Sequence, residues 1–177
     1  MEHRGAIVMV GLSALVAACT AVGPDGPRGT EGPGAEPATS VEEGPCAAET
    51  TEPLDASSSL HLLPGAPEPS YLSDPPTSGP HRSGPAPAGA LANPIDRPTQ
   101  VQVLEQGGVL IQHRDLDAAS VSDLATLAGE QVVVAPNPGL PAPVVATAWL
   151  AKRSCRAVDL AALRRFIEEH RGVGPEH

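Results

Sequence analysis

Hydrophobic residues concentrate in the second half of the chain, and their spacing there predicts short strands and helices. Apolar runs typical of buried strands occur at residues 101–103, 109–111, 131–135 and 143–150. Gly107 and Gly108 separate the first two runs, which is the signal of a turn or a bulge between strands. The second half of the chain should therefore contain a β-sheet.

Two further segments have the apolar spacing of helices. Ser120 is expected to begin the first helix, with Asp123 as a variant of the capping box, and Gly129 to end it. Asp159 is expected to cap the second helix, which should end at Gly172. Its apolar stripe consists of Leu160, Leu163, Phe166 and Ile167. The order β-β-α-β-β-α predicts an α+β fold, a small mixed β-sheet with two helices packed on one face.

The first half of the chain has a different composition. Most of the 18 Gly and 21 Pro residues lie in it, and residues 19–59 combine them with acidic residues and no apolar period. Such a segment cannot bury enough apolar surface to offset the entropy of ordering, so it is predicted to be a disordered tether. The folded domain is assigned to residues 60–177. Its Pro-rich arm, residues 60–98, is expected to be a functional or disordered loop or to pack across the domain through Leu62, Leu63, Tyr71 and Leu72.

Residues 1–18 are predicted to be a signal peptide. Arg4 gives it a basic start, and the apolar run at 5–16 is too short to span a bilayer. The segment ends in "LVAAC" at Cys19, which resembles the bacterial lipobox, where the thiol receives a diacylglycerol and the chain is cut before it. Lipidation would anchor the protein to the outer face of the cytoplasmic membrane. Ordinary signal cleavage near Ala18 is the alternative.

The remaining cysteines, Cys46 and Cys155, are predicted to form a disulfide, because an exported protein meets an oxidising compartment. Their Cα atoms should then lie about 4.4–6.8 Å apart, with the end of the tether held against the segment before the last helix. Two buried free thiols are the alternative.

Composition limits the classes of partner. The net charge of −10 argues against nucleic-acid backbones, and one Phe, one Tyr and one Trp are too few for platforms that stack bases. The membrane, reached through the lipid anchor, is the partner that the sequence predicts. We expect a monomer.

Several ungapped motifs resemble one protein family. They are "DPPTSGPH" (74–81), "LEQGGVLIQH" (104–113), "VVVAPNPGL" (132–140), "TAWL" (147–150) and "FIEEHRGVGPE" (166–176). In this order they resemble the bacterial domain-of-unknown-function family 3105 over roughly residues 60–176. That family is common in actinobacteria and often exported or membrane-anchored, and it has no established activity. The resemblance implies an envelope location and no particular reaction.

The resemblance also implies a degenerate ligand site. Where this chain has "QVLEQ" at 102–106, typical members resemble His-Asn-Leu-Glu-His, which with His81 nearby would offer ligands for zinc or copper. Both histidines of that set are glutamine here, so His81, Gln102, Glu105 and Gln106 are expected to form a relic site in a sheet-borne cluster that faces the arm. A zinc-protease motif of this order needs a helix, and Gly107 with Gly108 before a strand argues against one.

The candidate ligands that remain in the chain are His61, His81, Glu105 and His113. We expect no metal ion and no other cofactor, and poor binding of zinc or copper, because His81 and Glu105 alone fall short of a three- or four-ligand site. The alternative is that Glu105 and the two glutamines satisfy backbone groups of the arm.

No catalytic residue is predicted. Ser78 and His81 lie in a Pro-rich turn without the strand–elbow–helix context of serine hydrolases, and Asp115 and Asp117 lie where acids favour a helix dipole. The sequence therefore favours a cell-envelope lipoprotein that displays a small, non-catalytic binding or scaffolding domain. A metal-binding envelope protein with a degenerate histidine site is the first alternative, and an envelope enzyme of unrecognised type is the second.

Overall fold

A computed structural model describes residues 44–176 of the chain. The elements are β1 (Thr50–Thr51), β2 (His61–Leu62), β3 (His81–Arg82), β4 (Gly89–Ala90), α1 (Arg97–Glu105), β5 (Val109–His113), α2 (Ala118–Ala125), β6 (Val132–Pro136), β7 (Val144–Ala148), β8 (Ala151–Cys155) and α3 (Leu160–His170). The predicted signal peptide, Cys19 and most of the predicted tether lie outside the described residues. None of the helices within 44–176 has the length and hydropathy needed to cross a membrane.

The strands form a mixed sheet, as the α+β prediction requires. Its six strands run in the order β1-β8-β7-β5-β6-β4. Strand β6 pairs in parallel with β4 and β5, whereas the pairs β5–β7, β7–β8 and β1–β8 are antiparallel. Strands β2 and β3 form a separate parallel pair in the arm.

Helices cover both faces of the sheet. Side chains of a strand alternate between faces, so Val109 and Ile111 of β5 lie on one face and Leu110 lies on the other. The first face packs with α2 and α3, which is the predicted arrangement of two helices on one face. The second face packs with Val103 and Leu104 of α1. This third helix is absent from the predicted order.

The predicted strand at residues 101–103 is wrong, because these residues belong to α1. Asp96 caps the helix: its carboxylate accepts a hydrogen bond from the backbone N–H of Thr99 at 3.0 Å. Pro98 stands in the first turn, where its missing N–H removes no helical hydrogen bond. The cap and the proline outweigh the local alternation of valines with polar residues.

The two glycines end α1 and do not form a hairpin. The N–H of Gly108 donates to the carbonyl of Val103 at 2.8 Å, and the N–H of Gly107 donates to that of Leu104 at 3.0 Å. This pair of bonds is the Schellman pattern of a helix C-terminus, and Gly107 has the positive φ of 70° that the pattern needs.

Two helix boundaries and one strand also differ from the prediction. Helix α2 begins two residues before Ser120, because Asp117 is its N-cap and accepts from Ser120 N at 2.8 Å. Asp159 caps α3 as predicted, but that helix ends at His170, before Gly172. Strand β8 was not predicted, since its sequence AKRSC contains polar residues with little apolar alternation.

The folded domain begins earlier than residue 60. Strand β1 pairs with β8, and the disulfide between Cys46 and Cys155 is present as predicted. Their Cα atoms lie 3.9 Å apart, closer than expected, and the two cysteines face each other in an antiparallel bridge. Residues 44–59 are therefore part of the domain, and the predicted tether boundary is wrong.

The arm packs through different residues from those expected. Leu63 and Leu72 are 77% and 61% exposed, whereas residues 75–81 are buried. Tyr71 does contact the domain, since its hydroxyl donates to the carbonyl of Pro80 at 2.7 Å and Arg97 lies over its ring. The buried part of the arm ends at His81, and this places an imidazole inside the structure.

Candidate functional site

The candidate site lies where the last turn of α1 meets the arm. Gln102, Glu105 and Gln106 have the spacing i, i+3 and i+4, which places all three on one face of a helix. The expectation of a sheet-borne cluster is therefore wrong. A zinc-protease motif of this order needs a helix, and the segment does form one. The argument from Gly107 and Gly108 against such a helix is therefore wrong.

His81 and Glu105 form the centre of the site. Their Nε2 and Oε2 atoms lie 2.5 Å apart, and the His81 side chain is fully buried. The same Nε2 has no partner among the described residues with the alignment of a hydrogen bond. The contact is an electrostatic one, because the Coulomb interaction depends on distance and not on the angle of a hydrogen bond.

The other ring nitrogen determines what His81 offers to Glu105. Its Nδ1 lies 3.1 Å from the carbonyl oxygen of Gly79, and because a carbonyl only accepts, Nδ1 bears a proton. A neutral ring then directs the lone pair of Nε2 towards the carboxylate of Glu105. Two lone pairs repel at this distance, so a proton or another cation must lie between the two atoms.

The protonation of Glu105 depends on its surroundings. Burial raises the pKa of the Glu105 carboxyl above its ordinary value, His81 opposes this rise, and Glu176 adds to it. A smaller lowering of the same pKa comes from His61. A carboxyl with a raised pKa keeps its proton to a higher pH than an ordinary surface glutamate does.

His61 is the third member of the site. Strands β2 and β3 pair in a register that sets His61 beside His81, and the two rings meet edge to face with centroids 4.7 Å apart. One ligand atom from each of His61, His81 and Glu105 lies within 4.8 Å of the others. His61 is exposed while the other two residues are buried. The premise that His81 and Glu105 stand alone is therefore wrong.

Both glutamines contact the arm. The Nε2 atoms of Gln102 and Gln106 each donate to the carbonyl of Gly84 at 2.8 Å. The Oε1 atom of Gln106 also accepts from the N–H of Ala86 at 3.1 Å. Both glutamines therefore satisfy backbone groups of the arm, as the second interpretation of the sequence predicts for them.

The other candidates lie outside the cluster. His113 stands at the end of β5, where burial lowers the pKa of its ring below the ordinary value. Ser78 is held by backbone groups: its Oγ accepts from Asp55 N at 2.9 Å and lies 3.3 Å from the carbonyl of Pro53. Neither residue belongs to the His81–Glu105 site.

A cavity of about 400 Å³ adjoins the site and shares Glu105 with it. Its lining consists of Leu54, Asp55, Ala56, Ser58, Ser59, Glu105, Trp149 and Pro175. The lining has two acids, no basic side chain and one tryptophan. A neutral or cationic ligand would suit such a surface better than an anion.

A second cluster, which the sequence did not indicate, joins Glu49, Glu169 and His170. The Nε2 atom of His170 lies 2.9 Å from Glu49 Oε1, and Arg153 lies 3.8 Å from the other Glu49 oxygen. The guanidinium of Arg153 places a positive charge beside the Glu49 carboxylate, and this charge would compete with a bound cation. The cluster therefore serves as an ion-pair network between β8, α3 and the segment before β1.

A protein-family model described as "Protein of unknown function (DUF3105)" matches residues 67–177, more than half of the chain. Neither the curated proteins nor the solved structures contain a match. The matched region begins within the arm and includes His81, α1 and the whole central sheet except β1.

Proposed function

The chain belongs to the DUF3105 family of proteins of unknown function, and we propose that it is an exported, lipid-anchored protein whose folded domain binds a ligand without catalysing a reaction on it. The observation that carries this proposal is the disulfide between Cys46 and Cys155. Such bonds persist in oxidising compartments and are rare in the cytosol. The lipobox-like "LVAAC" at residues 15–19 supplies the matching anchor.

The binding part of the proposal is supported by the cavity beside Glu105. A volume of about 400 Å³ is in the range of sites for small ligands. Its wall joins apolar side chains such as Trp149 to a few polar groups, which is the usual composition of such sites. The backbone contacts of Ser78 support a non-catalytic role, because its hydroxyl accepts from the N–H of Asp55 and donates to the carbonyl of Pro53.

Detergent partition of the expressed protein tests the anchor. The parent chain should enter the detergent phase, and mass spectrometry should find a diacylglycerol adduct at Cys19. Cys19→Ala should remain unprocessed or move to the aqueous phase, whereas Thr20→Ala, a matched control next to it, should behave like the parent. An unmodified mature N-terminus after Ala18 would establish ordinary signal cleavage instead and overturn the anchoring proposal.

A further inference from the structure

Three side chains from separate segments converge on one point of the domain. His61 comes from β2, His81 from β3, and Glu105 from the last position of α1. Their ligand atoms lie within 4.8 Å of one another. Two imidazoles and one carboxylate are also a ligand set of catalytic zinc sites, which keep their fourth position open.

The contacts of His81 match those of a metal-binding histidine. A ligating imidazole usually donates its second N–H to a carbonyl or carboxylate, which fixes the tautomer and the ring. Here Nδ1 is 3.1 Å from the carbonyl of Gly79, so Nε2 is the free ligand atom. That Nε2 is buried, lacks an aligned hydrogen bond and points towards a carboxylate, where a cation would remove the repulsion.

The surrounding charges favour a cation. Glu105 forms an ion pair with His81 and with no lysine or arginine of the described residues. This differs from the Glu49 cluster, where Arg153 approaches the carboxylate. Because His61 is exposed, an ion can reach the site from solvent without any opening of the core.

We propose that His61, His81 and Glu105 form a binding site for a divalent transition-metal ion of the zinc class, with the remaining position open to water or to a ligand. The ordinary bond lengths of about 2.0–2.2 Å place tetrahedral ligand atoms about 3.3 Å apart. His81 and Glu105 must separate slightly from 2.5 Å, and the exposed ring of His61 must move inwards.

This inference rests on the proposed function and deepens it, since Glu105 also lines the cavity. It replaces the expectation of poor metal binding, which counted two ligands where the structure brings three together. An open metal position at the cavity wall would bind a ligand that has a lone pair, such as an amine or a carboxylate.

Zinc titration of the metal-free full chain in detergent, without a histidine tag, tests the site. Calorimetry should give one zinc ion per chain. His61→Ala and Glu105→Gln should each weaken binding at least about 100-fold, because even loss of an outer partner of a ligand costs about 10–100-fold. His61→Ala is the decisive variant, since an exposed residue can be replaced without disturbing the fold. Cobalt substitution should give the visible absorption of a four-coordinate ion, and His61→Ala should abolish it.

His170→Ala serves as the matched control and should bind zinc like the parent. Three outcomes would overturn the inference: no zinc binding, unchanged affinity in both His61→Ala and Glu105→Gln, or loss of binding in His170→Ala. A chain that partitions into detergent but binds no zinc would contradict this inference and leave the anchor intact. A chain that binds zinc at this site but has no lipid at Cys19 would support this inference and contradict the anchor.

Discussion

Gln102 and Gln106 donate to the same acceptor, because each Nε2 lies 2.8 Å from the carbonyl oxygen of Gly84. The two residues are one turn apart on α1, so their amides face the arm together. Gly84 lies just after β3, the strand that begins at His81. The glutamines therefore help to hold the segment on which the buried imidazole stands.

Replacement of Gln102 by alanine should loosen this contact. The variant loses a hydrogen bond from a residue that is 3% exposed, and we expect the free energy of unfolding to fall by about 1–2 kcal/mol. Denaturant unfolding followed by the fluorescence of Trp149, the single tryptophan, measures the change. Gln131→Ala is the matched control and should stay within about 0.5 kcal/mol of the parent. Equal stability of Gln102→Ala and the parent would show that Gln106 alone holds the arm.

The cap of α1 gives a second prediction. Asp96→Ala should lower the free energy of unfolding by about 0.5–2 kcal/mol, since the N–H of Thr99 loses its acceptor. Asp96→Ser keeps an acceptor at the cap but loses the ion pair with Arg82, which is half exposed and contributes little. Chemical unfolding of both variants should therefore place the serine variant much closer to the parent. A serine variant as weak as the alanine variant would assign the effect to the ion pair.

The same carboxylate predicts a dependence on pH. Burial raises the pKa of Asp96, but hydrogen bonds from Thr99 and Arg82 outweigh burial and hold it below the ordinary value of about 3.9. The unfolded chain then takes up this proton first as the pH falls. The contribution is fully present above about pH 4 and is lost as the pH falls through the folded-state pKa. Asp96→Asn should therefore lose less stability than the parent between about pH 4 and pH 2. Parallel unfolding midpoints across this range would contradict the assignment.

The disulfide should contribute strongly to stability. Cys46 and Cys155 are 109 residues apart, and closing a loop of about 100 residues restricts the unfolded chain by about 4–5 kcal/mol in chain-entropy terms. The Cys46→Ala/Cys155→Ala chain should lose about 2–5 kcal/mol. Reducing agent should destabilise the parent and leave this double variant unchanged. A parent chain that is insensitive to reduction would show that the bond adds nothing to stability.

The sequence predicted the elements whose signals are local and strong. Strands β5, β6 and β7 are continuous apolar runs, and α3 combines the cap Asp159 with a regular stripe. The prediction failed at α1 because two valines at alternate positions imitate a strand, and because Gly107 and Gly108 resemble a turn or bulge between strands. The sequence did not predict β8, because its hydrogen bonds to β1 and β7, and not its composition, determine its structure.

The candidate site was only partly predictable for a related reason. His81 and Glu105 were assigned to one cluster, but His61 joins it through pairing of two-residue strands. Such short strands contain too few residues for an alternation signal, so the hydrophobic pattern does not specify their register. The expectation of a sheet-borne cluster at Gln102 and Gln106 failed with the strand on which it rested.

The last prediction concerns those two glutamines. On α1 the positions 102 and 106 have the i, i+4 spacing at which two imidazoles can bind one metal ion, with Glu105 beside them. Gln102→His with Gln106→His should therefore bind zinc more tightly than the parent, although it loses the bonds to Gly84. Thermal unfolding should show a lower metal-free midpoint and a larger zinc-dependent rise, because a ligand that binds only the folded state stabilises it. Gln102→Ala with Gln106→Ala is the matched control, since it loses the same bonds without gaining a ligand. A zinc response no larger than that of the parent would show that these positions do not extend a metal site.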